Sequence, residues 1–141
     1  MSESPVLWRA LLLWVVAGLV FNFTWEMLQR PLYVAQGSFE QDVWHCFGAS
    51  LWDVVLLAGL YALLSLATRE RCWFVRLGGG QLLLLAAAGF AIAVFIEWRA
   101  LGSGKWGYAP EMPRVPGLDV GWSPVLQMVL IPLALAWLSH A

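Results

Sequence analysis

Charge is what this chain has least of. Lys, Arg, Asp and Glu make up 12% of its 141 residues, roughly half the share of an ordinary soluble domain. Long stretches contain none, which excludes a water-soluble globular domain and a disordered tail. Neither sign dominates: 8 Lys and Arg stand against 9 Asp and Glu, a net charge of −1. There is no basic face for a nucleic acid, and no such partner is expected. Cysteine is nearly absent as well. Cys46 and Cys72 flank one apolar segment and lie ~39 Å apart if that segment is helical, far beyond disulfide reach. With no CxxC pair they are expected to be ordinary thiols. Internal repeats and low-complexity tracts are missing too, so residues 1–141 read as a single transmembrane domain.

What the chain has in excess is apolar surface: 61% of it is hydrophobic and its mean hydropathy is +0.73. Four segments, about 6–28, 43–67, 77–98 and 122–139, reach the ~20 residues needed to cross ~30 Å of hydrocarbon as a helix. Runs such as Val54-Val55-Leu56-Leu57 and Leu82-Leu83-Leu84-Leu85 suit helices and not the alternating strands of a barrel. The expected fold is all-α, an integral membrane bundle of four transmembrane helices, with the lipid bilayer as its first partner. The first span reads as an uncleaved anchor, because Glu3 precedes its single Arg9 and no small-residue cleavage pattern follows. Asn22-Phe23-Thr24 spells a glycosylation sequon, but one inside a span is unusable. Arg69, Arg71 and Arg76 crowd the short connection 68–76, which places it, and with it both termini, on the cytoplasmic side of a cell inner (plasma) membrane.

Depth is the informative property of the few polar residues. Asn22, Glu26 and Gln29 fall at i, i+4 and i+7 near the outer end of span one, on one helix face. Span two starts on that side with His45 and Ser50 and reaches Asp53 ~15 Å in, near the bilayer midplane. Span three ends outward at Glu97 and Arg99, and span four carries Gln127 early. The inner halves look almost purely aliphatic. An ionised carboxylate at a helix centre costs about 3 kcal/mol, so these groups are expected to share a polar pocket open to the outer side. The bland alternatives are headgroup contact for Glu26 and Glu97, an interhelical hydrogen bond for Asp53 and an interfacial seat for His45.

The ten tryptophans follow the same bias. Trp25, Trp44, Trp98, Trp106 and Trp122 gather at the outer boundary and Trp8, Trp73 and Trp137 at the inner one, as in an anchoring belt. Trp14 and Trp52 lie deeper, and Trp52 beside Asp53 is expected to wall a site for a flat apolar or cationic species. Span three, rich in Ala and Gly from Ala86 to Ala93, is expected to pack at the bundle centre or against another subunit. In the outer loop, prolines 110, 113 and 116 match the three-residue period of a polyproline II helix. A stiff loop bearing Trp106 and Tyr108 either caps the pocket or serves as a plain connector.

Chemistry narrows the choice. Glu26, His45, Asp53 and Glu97 are ligand types for a metal, but no Glu-x-x-His or His-Glu-x-x-His spacing occurs, and neither metal nor cofactor is expected. Ser50 and His45 diverge on their helix, against a nucleophilic triad. Gly78-Gly79-Gly80 lacks the Lys-Ser/Thr of a phosphate loop. General acid–base work fits better, since an apolar pocket favours the protonated form of a carboxyl. Asp53 is the candidate acid and Glu26 or Glu97 the base, with His45 beside them. Asn22, Trp52, Trp106, Tyr108 and Gln127 are the candidate substrate-binding residues.

The stretch Glu97-Trp98 … Gly104-Lys105-Trp106-Gly107-Tyr108 … Gly117 … Gly121 … Pro124-Val125-Leu126-Gln127 resembles, over about residues 97–128, the lycopene cyclase-type membrane proteins of carotenoid synthesis. In those proteins an acidic residue, a Trp-x-aromatic pair and a glycine precede a Pro-x-Glu-Glu that opens the next helix. The resemblance implies protonation of a polyene and ring closure without a metal. Gln127 and Met128 stand where the glutamate pair would be.

Three readings follow, in this order. The first is a membrane-embedded cyclase or isomerase that acts on an apolar, isoprenoid-like lipid by proton transfer. The second is a non-catalytic subunit, or a pigment- or quinone-binding component, of a larger membrane assembly. The third is a small proton- or cation-coupled carrier. The apolar ligand of the first would be accompanied by homo-oligomer or partner subunits in the others.

Overall fold

The computed structural model describes residues 3–141, so the first two residues of the N-terminal flank lie outside it. Four helices account for most of it: α1 (Glu3–Gln29), α2 (Phe39–Thr68), α3 (Gly79–Gly102) and α4 (Trp122–His140), with 3-10 turns at Arg30–Leu32 and Trp73–Arg76. Each of the four is long and apolar enough to cross a membrane. The described residues contain no β-strand, only two isolated bridges.

Helix ends lie where local chemistry puts them, up to four residues from the hydropathy boundaries. Phe39 rather than residue 43 opens α2, because the Ser38 hydroxyl accepts from the Gln41 backbone while the Gln41 side chain accepts from the Ser38 N–H at 2.9 Å. That reciprocal pairing satisfies two orphan donors of the first turn. Arg69, in the left-handed conformation at φ 60°, closes α2. The Gly78 N–H donates to Gln81 at 3.1 Å at the start of α3, and α3 runs on past residue 98 to Gly102.

The helices alternate in direction around a ring. α1 packs against α2 and α4, α4 packs against α1 and α3, and the α2–α3 seam is the loosest of the four contacts. α4, not the small-residue-rich α3, is the most enclosed helix. α3 uses its small residues to lie close against α4. Gly89 is buried, and a Cβ there would run into the main-chain carbonyl of Met128. Pro132, four residues on, has no N–H to bond that carbonyl, so it stays free for the close approach of the Gly89 Cα.

At the end carrying the termini and the α2–α3 connection, the interior is aromatic, which corrects the aliphatic expectation. Trp73 does not sit in an interfacial belt: it is fully buried with Trp14, Tyr61 and Phe74, in edge-on contacts 5.2–6.0 Å apart for Trp14–Tyr61, Trp14–Trp73 and Trp73–Phe74. The 3-10 turn Trp73–Arg76 folds these rings back under the bundle, where Leu57, Leu60, Leu64, Leu85 and Leu135 continue the core. In lipid such burial gains little from the hydrophobic effect, so close packing holds the helices together.

At the opposite end, called here the loop end, the two connections 30–38 and 103–121 join. Val34 N–H donates to Gly107 and Ala109 N–H to Leu32, both at 2.9 Å. The polyproline expectation is not met. Val115 N–H bonds Val120 at 2.7 Å and Trp122 N–H bonds Pro113 at 2.8 Å, so the segment turns back on itself through Gly117 (φ 81°) and Asp119 (φ 57°). Neither cysteine is in a disulfide; Cys46 is buried and Cys72 partly so.

Candidate functional site: a glutamine hub and a glutamate anchor

The loop half of the bundle holds two polar clusters. The first centres on Gln127, buried on α4. Its Nε2 donates toward Asn22 Oδ1 at 3.0 Å, Glu26 Oε1 at 3.0 Å and Asp53 Oδ2 at 3.1 Å. Its Oε1 accepts from Gln29 Nε2 at 3.0 Å. Gln29 in turn accepts from the Ser123 hydroxyl at 2.6 Å, and Ser123 accepts from Trp25 Nε1 at 3.2 Å. The Asn22 amide is fixed by donating to Gly18 O at 2.8 Å.

The periodicity of α1 builds this arrangement. Asn22, Glu26 and Gln29 project from one face, toward Ser123 and Gln127, which lie one turn apart on α4. Asp53 comes from the α2 face that also carries buried Cys46, Ser50, Leu57 and Leu60. Three helices thus deliver two carboxyls and three amides to one point.

Glu97 anchors the second cluster. It comes from α3 and is 4% exposed, too enclosed for headgroup contact. Its Oε2 accepts from the hydroxyl of Tyr108, from Trp106 Nε1 at 3.2 Å and from the Tyr33 hydroxyl at 3.4 Å. Tyr108 also accepts from the Gly121 N–H at 2.9 Å, and its ring lies 5.4 Å from that of Tyr33. Burial first, then its bond to the Glu97 carboxyl, raises the Tyr108 pKa above its ordinary value; burial and the charge of Glu97 do the same for Tyr33. Both phenols therefore remain protonated donors. Their bonds to one carboxylate pull both connections down over the bundle as a cap.

Seven of the nine residues singled out from the sequence lie in these clusters: Asn22, Glu26, Asp53 and Gln127 in the hub, and Glu97, Trp106 and Tyr108 at the anchor. They form two groups rather than one pocket, because no hydrogen bond joins Glu97 to the hub. His45 and Trp52 hydrogen-bond to neither, although His45 lies near enough to Glu26 for its charge to be felt there. His45 is exposed and Trp52 is 71% exposed, on the face of α2 turned away from the bundle. Neighbouring residues on a helix point about 100° apart, so inward placement of Asp53 turns Trp52 outward, and His45, seven residues before Trp52, follows it.

The sequence reading missed Tyr33 and Ser123, took Trp25 for an interfacial anchor, and left Gln29 as a face-mate without a role. Ser123, four residues before Gln127, was open to the same spacing argument as the α1 residues. Tyr33 lies in a connection, where no periodicity marks it. Among the described residues no three His, Cys, Asp or Glu side chains are arranged to hold a metal ion. Compared with known proteins, the chain matches no family model, no curated protein and no solved structure.

Proposed function

We propose that this multi-pass membrane protein is an enzyme of the plasma membrane that isomerises or cyclises an apolar, isoprenoid-like lipid by proton transfer. The observation that carries the reading is the meeting of two carboxyls, Glu26 and Asp53, on one buried amide inside a bundle of membrane-spanning helices. Such carboxyls in a span usually mark a functional site. In the proposed reaction the Asp53 O–H bond breaks and the alkene π pair takes the proton, forming a C–H bond and a carbocation. In a cyclisation an internal double bond attacks that cation, closing a ring and moving the positive charge to a ring carbon; in cyclisation and isomerisation alike, a C–H bond beside the cation then breaks to restore a double bond. Glu26 accepts the departing proton, so neither oxidant nor metal enters the balance. The loose α2–α3 seam is the route by which substrate leaves the bilayer, and the cap held by Glu97 keeps water out. The local resemblance to the cyclase-type proteins agrees with this chemistry. Gln127, which replaces a glutamate of their pattern, here orients two carboxyls supplied by other helices.

The test is the apolar-lipid profile of isoprenoid-producing cells that express the wild type, Asp53→Asn or Glu26→Gln, with folding checked in detergent. General acid–base catalysis supplies about 10²- to 10⁴-fold, so either folded variant is expected to lose product formation by at least about 100-fold. Unchanged lipids with the wild type, or full turnover by Asp53→Asn, would overturn the assignment. A non-catalytic subunit is the second reading, favoured by the way the hub ties α1, α2 and α4 together. Neutral variants that unfold and alter no lipid support that reading.

A further inference from the structure

Outside both clusters, an open groove of about 670 Å³ runs along the loop end of α3. Its walls divide by chemistry. Phe95, Ile96 and Trp98 form the part nearer the middle of the span, while Arg99 and Lys105 stand at its end, with Trp106 beside them. Phe95 and Trp98 are exposed, so the apolar part faces the lipid acyl chains. The two ion pairs among the described residues are Arg30–Asp42 and Arg114–Asp119. Arg99 and Lys105 have no carboxylate partner, and the nearest acidic side chain in sequence, Glu97, is turned inward and committed to the cap. Lys105 Nζ lies over the Trp106 ring, 5.5 Å from its centre, which holds the ammonium at the rim.

We infer that this groove is a binding site for an anionic phospholipid, with the phosphate between Arg99 and Lys105 and an acyl chain along Phe95 and Ile96. The charge assigns the headgroup. Two cations without counter-ions at the level of the bilayer surface attract an anion, and Arg adds a planar fork suited to phosphate oxygens. The apolar strip below them assigns a lipid and not free phosphate, which would leave it unused. The site connects to the rest of the molecule through Trp106, whose ring borders the groove while its Nε1 donates to Glu97 at 3.2 Å. A bound headgroup would therefore steady the cap. The inference stands independently of any catalysis at the hub.

The experiment is native mass spectrometry of the purified full chain in mild detergent, titrated with phosphatidylglycerol, phosphatidylcholine or inorganic phosphate. Arg99→Gln/Lys105→Gln is compared with the wild type, and thermal unfolding confirms that the double variant folds. Each basic residue near an anionic surface contributes about 1 kcal/mol, so the double variant is expected to bind phosphatidylglycerol about 30-fold more weakly. The wild type should retain one phosphatidylglycerol in preference to phosphatidylcholine, and inorganic phosphate should not displace it. Equal retention of both lipids, an unchanged affinity in the double variant, or displacement by phosphate alone would each overturn the proposal. If the variant does not fold, Phe95→Ser, which alters the chain wall alone, must weaken lipid retention, and normal retention there would equally overturn it.

Discussion

Gln127 brings two amide protons to three oxygen atoms, all 3.0–3.1 Å from its nitrogen. No aliphatic residue can meet that demand, and each oxygen arrives from a position fixed by helix geometry. Gln127→Leu is of similar length and would leave Asn22, Glu26, Asp53 and Gln29 without this partner. Interhelical hydrogen bonds in membranes contribute about 0.6 kcal/mol each, so loss of the three that two amide protons and one amide oxygen make at once is expected to cost about 2 kcal/mol, read by unfolding in mixed detergent micelles. Gln36→Leu, which removes only an exposed bond to the Lys105 carbonyl, should stay within about 0.5 kcal/mol of the wild type. Equal stabilities for the two variants would mean that the hub does not hold the helices. At this scale the hub was legible because depth along a span follows from counting residues, and Asn22, Glu26, Asp53 and Gln127 share a depth. Direction around the helix needed one more step. Trp52 was placed beside Asp53 by sequence adjacency, and a helix turns adjacent residues to different faces. Tyr33 carried no signal, since its place depends on two connections pairing across 75 residues of chain, Tyr33 with Tyr108.

Between helices, a missing side chain and a missing N–H act together. Pro132 leaves the Met128 carbonyl without its helical donor, and Gly89 is the α3 residue small enough to lie against it. Gly89→Ala would press a methyl group into backbone that cannot rotate aside, and overpacking of this kind typically costs about 1–3 kcal/mol. Gly59, on α2, has nothing within 4 Å of where its Cβ would be. Gly59→Ala is therefore expected to be neutral or to stabilise by up to about 1 kcal/mol through helix propensity. Thermal unfolding of both variants in one detergent checks the contrast, and the reverse order would remove the α3–α4 contact from the account. The four helices were legible from hydropathy alone, as lipid demands. Which helix is central was not, because the Ala-rich run of α3 shows that it can approach closely but not what it approaches. The early start of α2 at Phe39 was written in the sequence as Ser38 followed by Gln41, a local signal that hydropathy averages away.

For the whole molecule, orientation decides which side of the membrane the hub faces. Four basic residues lie toward each end of the bundle: Arg9, Arg69, Arg71 and Arg76 at the terminal end, and Arg30, Arg99, Lys105 and Arg114 at the loop end. The total is balanced, so distribution must set the topology. Three of the first group crowd the short connection 68–76, the kind of loop whose Lys and Arg are retained in the cytoplasm. Of the second group, Arg30 and Arg114 are paired with Asp42 and Asp119, and the other two border the lipid groove. We expect the terminal end to face the cytoplasm. In a background with Cys46→Ala and Cys72→Ala, Ser103→Cys should react with a membrane-impermeant maleimide on intact cells, and Arg71→Cys only after the membrane is opened. The reverse pattern would invert the topology, and equal labelling would mean that both orientations insert. With the expected orientation the Glu26–Asp53 pair lies in the outer half of the membrane, beneath a cap that faces the external side. Inversion would leave every distance in the hub unchanged and put the pair in the cytoplasmic half.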